Sequence, residues 1–310
     1  MIGNVIGIVV LIALVALFGW LAKRAWGSKR ALLKWAGVVL ASLFALLLAL
    51  VTVVALIGFF KVYLPTQYAA PQLKVVGTPE QIARGRQIVS VTCTGCHSTN
   101  GQLPLGGGND IGPEIGLPVG TIVPYNLTPG GPLKNWSDGD IWRAIRQGVD
   151  PNGRTLVMMN AIGDPRFLSD DDLQAVIAYL RSQPAAQNEP PQESLSLVGL
   201  LLVGGGLVPG APPVTGTVTA PPQGPTAAYG KYVVDYIGCR GCHGDNLTGN
   251  TGLGPHGPNL TTVVPTWTQD QFVQYLRGGT NPDMKQYTAM DDVELAAVYQ
   301  YMHGLTPIQK

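Results

Sequence analysis

Two stretches near the N-terminus carry no charged side chain: residues 5–22, eighteen in a row, and residues 35–60, twenty-six in a row. Roughly 20 apolar residues in a helix cross the hydrocarbon core of a bilayer, so the pattern predicts a two-helix transmembrane hairpin over residues 1–62. The turn between the helices holds Lys23, Arg24, Lys29, Arg30 and Lys34, whereas only Lys61 marks the far end. Basic residues collect on the cytoplasmic side, which places the turn inside and both termini on the extracytoplasmic face of the membrane. Trp20, Trp26, Trp35, Tyr63 and Tyr68 fall near the expected interfaces. No small-residue cleavage site precedes Lys23, so a retained hairpin rather than a cleaved signal peptide is expected. A third apolar run, residues 195–208, has fourteen residues with four glycines. That is too short for a span and reads as buried or interfacial.

Past residue 62 the pattern changes to short amphipathic runs separated by Gly- and Pro-rich loops. Residues 63–78 read as a tether, 79–183 as a first domain, 184–225 as a Pro/Gly-rich linker around the third apolar run, and 226–310 as a second domain. The two domains repeat each other. Asn126-Leu127-Thr128 matches Asn259-Leu260-Thr261, and Trp136, Ile141, Arg146, Gly148 and Pro151 match Trp267, Phe272, Arg277, Gly279 and Pro282 at a constant offset. Each domain ends in a helix whose first turn is acidic, as the helix dipole favours: Asp170, Asp171 and Asp172 in one, Asp291, Asp292 and Glu294 in the other. Behind the acids, Leu173, Val176, Tyr179 and Leu180 parallel Leu295, Val298, Tyr301 and Met302, one apolar face each. The reading is all-α.

Composition adds that 46% of residues are hydrophobic and 13% charged, which excludes a disordered chain. The net charge of +1 hides a split, since all nineteen acids lie from Glu80 onward. The one basic cluster sits between two apolar stretches, so no nucleic acid is expected as partner.

All four cysteines fall in two copies of one motif, Cys93-Thr-Gly-Cys96-His97 and Cys239-Arg-Gly-Cys242-His243. This spacing is that of c-type haem attachment: two cysteines three apart can each form a thioether to one porphyrin, and the adjacent histidine reaches its iron. A zinc site would need both Cys-x-x-Cys pairs in one fold, and here they lie in separate domains. Two covalently attached haems c are expected, and their attachment is an extracytoplasmic process, in agreement with the basic turn.

These motifs, with Asn126-Leu-Thr-Pro, Trp136-Ser-Asp-Gly-Asp and Gly148-Val-Asp-Pro-Asn-Gly-Arg154, resemble class I cytochromes c in tandem. The likeness is to membrane-anchored di-haem cytochromes c and to the cytochrome subunits of bacterial membrane-bound alcohol and gluconate dehydrogenases. Those subunits carry three haems where this chain has two motifs. The resemblance implies a methionine as second axial ligand, on the loop before the last helix. Met159 is the candidate in the first domain, with Met158 as alternative, and Met284 in the second. Met290 and Met302 are expected in the core, and His256 and His303 at the surface. The resemblance also implies a backbone carbonyl holding each proximal imidazole, with Pro258 the candidate in the second domain and Tyr125 at the matching place in the first. Trp136 and Trp267 read as packing residues, with a place beside a haem propionate as the alternative. The asparagines of the Asn-Leu-Thr repeats read as fold residues rather than glycan sites.

The function this implies is electron transfer by a membrane-anchored di-haem cytochrome, not an enzyme by itself, with redox proteins of a larger membrane complex as partners. The alternatives are an integral di-haem subunit of a terminal oxidase or quinol-oxidising complex, and a di-haem peroxidase.

Overall fold

The computed structural model describes residues 1–64, 68–162, 164–191, 193–208, 210, 214–250, 256–279 and 281–309. It is mostly helical, as the periodicity predicts. Helices α1 (Ile2–Trp26) and α2 (Ala31–Tyr63) pack side by side as a hairpin, and both are long and apolar enough to cross a membrane. At the basic turn, Trp26 meets Trp35 edge-on and Lys34 lies over the Trp26 ring.

The first domain contains α3 (Pro79–Thr92), α4 (Thr94–His97), α5 (Asp138–Gln147), α6 (Val157–Ile162) and α7 (Asp170–Ser182). After α8 (Leu197–Gly204), the second contains α9 (Ala227–Tyr236), α10 (Cys239–His243), α11 (Leu260–Val263), α12 (Gln269–Gly278) and α13 (Asp292–His303). Helix starts follow local chemistry. Thr78, Ser137 and Thr268 form capping boxes with Gln81, Asp140 and Gln271, and Ser169 and Asp291 cap the two acidic-start helices.

In both domains the first and last helices touch backbone to backbone. A Cβ on Gly85 would lie 1.9 Å from the Ala175 carbonyl oxygen, and one on Gly230 the same distance from that of Ala297. One apolar cluster runs through both domains and includes Val89, Leu173 and Ile177 with Val233, Leu295 and Val298. A charged seam crosses it. The Arg84 guanidinium pairs with Asp172 of its own domain and with Glu294 of the other, each at 2.8 Å, and donates to the Tyr229 hydroxyl at 3.1 Å. Tyr232 donates to Asp172 at 2.6 Å and Tyr236 to Glu294 at 3.0 Å.

A second cluster joins the hairpin to the first domain. It contains Val62, Val119, Ile122, Val157, Leu195, Leu200 and Val203. Strands β1 (Gly120–Thr121) and β2 (Ser194–Leu195) pair antiparallel beside it, a small addition to the all-α pattern. Of residues 63–78, read as a tether, Tyr63 still belongs to α2, and residues 68–78 are pinned to α5: Arg143 donates to the Tyr68 carbonyl, and the Val75 amide to Asp138, both at 2.9 Å.

Candidate haem sites

Each Cys-x-x-Cys-His closes the first helix of its domain. Cys93 ends α3, and the His97 amide bonds back to the Cys93 carbonyl at 2.8 Å, so both sulfurs and the imidazole issue from one turn. The second motif makes the corresponding turn as α10, entered through Gly238. His97 Nδ1 lies 2.8 Å from the Tyr125 carbonyl oxygen, and His243 Nδ1 2.8 Å from that of Pro258. A carbonyl can only accept, so Nδ1 carries the proton and donates, leaving Nε2 with a free lone pair. Burial holds both imidazoles below the ordinary histidine value, against the opposing pull of those hydrogen bonds. They therefore stay neutral and able to bind a metal.

Each motif faces an apolar cleft. In the first, Cys93, Cys96 and His97 share the walls with Tyr125, Leu133, Trp136, Ile141 and Leu156, and with Met158 and Met159 of α6. In the second, Cys239, Cys242 and His243 share them with Leu260, Val264, Trp267, Phe272 and Met284. Burial pushes the Cys93 thiol up to about 11 and Cys239 to about 12, so neither is a reactive thiolate by itself. Among the described residues no group of three or more His, Cys, Asp and Glu could hold a metal ion on its own. What the donor set fits is a flat apolar group bound through two sulfurs and one imidazole. A further mark of the fit is Gly257, where a Cβ would lie 2.5 Å from His243 Nδ1. The backbone there is shaped around the ring.

The loops bearing the methionines are stapled by arginines. Arg146 donates to the Leu168 carbonyl at 2.6 Å, to that of Arg166, and to Asp170 at 2.7 Å. Arg166, itself buried, donates to the Asn160 carbonyl at 2.7 Å. Arg277 repeats the pattern on Thr288 and Asp292, both at 2.8 Å. The sequence repeat aligned Arg146 with Arg277 without disclosing this role. The buried partners of Arg84 were also missed, since nothing local marks a contact 210 residues apart.

Met290 and Met302 are buried in the core, though both also touch the second cleft. His303 is exposed and its ring lies tilted against Tyr299. His256 is exposed on its loop, held to the Asn250 carbonyl, and also lines the second cleft. Trp136 and Trp267 line the two clefts as well as packing on Tyr125 and Tyr275. Asn126 is fully buried, its carboxamide bonded to Thr128, Ala186 and Asn188, as a fold residue would be.

Residues 82–184 match the family model for cytochrome c, and residues 225–302 that for cytochrome c oxidase, cbb3-type, subunit III. Each match contains one attachment motif, one locked imidazole and one cleft. The chain thus carries two cytochrome c domains, and its cofactors are two covalently bound haems c. More particularly, it is similar to the cytochrome c subunit of gluconate 2-dehydrogenase from Pantoea cypripedii, 28% identical over 256 residues, covering 69% of this chain and 56% of that protein. It is also similar to the cytochrome c subunit of the quinone alcohol dehydrogenase from Gluconobacter oxydans, 28% identical over 243 residues, covering 68% and 50%. A shorter match, 32% over 117 residues, is to a nicotinate dehydrogenase subunit of Pseudomonas putida, covering 37% of this chain and 10% of that one. The chain spans about half the length of the first two relatives.

Proposed function

We propose that this protein is a membrane-anchored di-haem cytochrome c. It passes electrons on the extracytoplasmic face of the bacterial inner membrane, between a dehydrogenase or other membrane complex and a second redox carrier. The observation that carries this is the paired site: two attachment motifs, each with an imidazole fixed through Nδ1 to a backbone carbonyl, each opening on an apolar cleft with a methionine on its wall. Haem supplies the one-electron iron couple there. The chain's own part is to hold the group through Cys93 and Cys96 and through Cys239 and Cys242, to present His97 and His243 as neutral donors, and to exclude water. Met159 and Met284 are the proposed sixth ligands, with Met158 the alternative in the first domain. A thioether ligand in a dry cleft raises the potential and suits electron transfer over oxygen or peroxide chemistry. The five basic residues of the hairpin turn support a cytoplasmic turn, with termini and haem domains outside.

A second reading, an integral subunit of an oxidase or quinol-oxidising complex, draws on the match of residues 225–302 to an oxidase subunit model and on an anchor of two helices rather than one.

Purification from native membranes tests both. Two haems by intact mass, a methionine–iron charge-transfer band, and co-purification with a dehydrogenase support the first reading. Co-purification with oxidase subunits supports the second. A mass of the bare chain would overturn both.

A further inference from the structure

The third apolar run does not lie on the surface of the haem domains. Leu195 is held at the outer end of the hairpin, where the Asn4 side chain donates to its carbonyl at 2.9 Å and also reaches the Tyr63 hydroxyl at 3.3 Å. From there α8 runs down along α2 with the two backbones in contact. A Cβ on Gly58 would lie 2.0 Å from the Leu200 carbonyl oxygen, and one on Gly204 would lie 2.0 Å from that of Val54. Gly58 thus gives α8, not α1, its close approach to α2. Val54 is seven residues below Lys61, about 10 Å along the helix at 1.5 Å per residue, and within the charge-free stretch of α2.

The chain then turns back. Leu207 and Val208 bond to the Leu202 carbonyl, Val208 joins the cluster under the first haem cleft, and Gly210 is again beside Asn160 of the first domain. The lower end of α8 meets the demand that lipid makes on backbone polar groups. The amides of Gly205 and Leu207 bond back into the helix, and Lys61 Nζ reaches the Val203 carbonyl at 3.4 Å. No side chain of α8 is polar, and Leu207 at its tip is 58% exposed. At the level of Leu195, the loop that packs on Ser196 through Val119 also exposes Ile115 and Leu117.

We propose that residues 195–208 form a re-entrant membrane segment. In it α8 enters the outer leaflet beside α2, meets acyl chains with its free side, and returns, with Ile115 and Leu117 at the bilayer surface. This rests on the reading that α1 and α2 span the membrane. It makes the first haem domain a body seated in the bilayer, not one hung from a tether. Met158, Val157 and Ile122 belong both to the wall of the first cleft and to the cluster built on α2 and α8. The first haem is therefore the membrane-proximal one.

The test uses the purified holoprotein in phosphatidylcholine nanodiscs, with no partner subunit present. Haem attachment consumes the four native cysteines, so an introduced one is the sole thiol. Single variants Leu207→Cys, Leu201→Cys, Leu47→Cys in mid-α2 and Thr217→Cys on the exposed linker are treated with a charged maleimide. Thr217→Cys should react freely. Leu207→Cys, Leu201→Cys and Leu47→Cys should react at least about tenfold more slowly, because the thiolate needs water. If the Leu201 and Leu207 variants react like Thr217→Cys while Leu47→Cys is protected, the re-entrant segment is wrong and the hairpin reading survives. If Leu47→Cys reacts freely too, the hairpin reading falls and takes this one with it. An apolar diazirine applied to the unaltered protein needs no variant. It should label the 195–208 peptide along with α2, and label on α2 alone would equally overturn the proposal.

Discussion

The two haem domains are copies of one design that meet different surroundings. Each packs its first helix on its last through a glycine, caps its middle helix with a Ser or Thr box, staples its methionine loop with an arginine, and fixes its imidazole to a carbonyl. They differ in the loop that supplies that carbonyl. It lies 28 residues past the histidine in the first domain and 15 in the second. The added length carries β1 and the exposed Ile115 and Leu117, and it packs on Ser196 at the head of α8. The insertion therefore serves attachment, besides adding Ile111 and Ile122 to the wall of the first cleft. The second domain does without it and is held through the first: α9 packs against residues Asp164–Phe167, and α3 against Pro282–Ala289. Where two copies of a fold share a cofactor, the parts they do not share point to what each copy does besides hold it.

The largest effect expected comes from removing one cofactor. Cys239→Ala with Cys242→Ala should lower the intact mass by one haem and abolish the second domain's spectrum. The first domain should keep its haem, because it has its own cluster on Val62, Leu195 and Val203. Loss of both haems would mean that the copies are not separable units.

Next is the seam between them. Arg84 is the cation shared by Asp172 and Glu294, and Glu294 is 2% exposed. Burial alone would lower the arginine's pKa, but its hydrogen bond to Asp172 and the acidic groups around it raise it, so it stays charged. Removing one partner of a buried ion pair strands the other, which typically costs about 3–5 kcal/mol. Arg84→Met should destabilise the protein on that scale in denaturant unfolding, and adding Glu294→Gln and Asp172→Asn should restore much of it. No recovery in the triple variant would show that the arginine's packing, not its charge, joins the domains.

A smaller and more local effect is expected at Gly257. An alanine there must push the His243 ring, at a cost of about 1–3 kcal/mol for an overpacked site. Gly257→Ala should shift the second haem toward a high-spin spectrum and leave the first unchanged. An equal change in both would mean the domains communicate through the seam.

Much of this was legible in the sequence because the signals are local. The two motifs, the charge-free stretches and the acidic first turns each act within a few positions. Tyr125 and Pro258 could be named as carbonyl partners because the repeat aligns them. The chain gave no such cue for Asn4, an ordinary polar residue in an apolar helix until Leu195 is placed beside it. The role of Gly58 was equally hidden, because its neighbour Leu200 is more than a hundred residues away. Burial in a repeat protein of this kind is set by which copy touches what, and that information is non-local.

The smallest effect expected is a pH dependence at the junction. Asp164, on the methionine loop of the first domain, faces the turn into the second motif: a Cβ on Gly238 would lie 3.3 Å from its carboxylate. Burial raises its pKa from 3.8 to about 6, with Arg166 and Arg240 pulling it down and Asp235 and Asp245 pushing it up. An acid whose folded value lies above its unfolded value binds its proton more tightly in the native state. Its contribution to stability is therefore largest at acid pH and is lost as pH rises from about 4 through about 6. Linkage bounds the loss at about 3 kcal/mol for a shift of this size, and solvent screening of the partly exposed carboxylate brings it to about 1–2 kcal/mol. Asp164→Asn should remove that slope, so that the variant gains on the parent at pH 7 and not at pH 4. Unfolding followed by the second haem's absorbance at both pH values measures it. The corresponding segment of the second domain, Pro282–Ala289, packs on α3, with Asp291, the cap of α13, accepting from Gln87 just beyond it. Gln87 donates to that carboxylate and carries no acid of its own, so Gln87→Ala should lose stability and gain on the parent at neither pH. A pH-dependent gain in that variant as well would show that the titration belongs to the seam as a whole and not to Asp164.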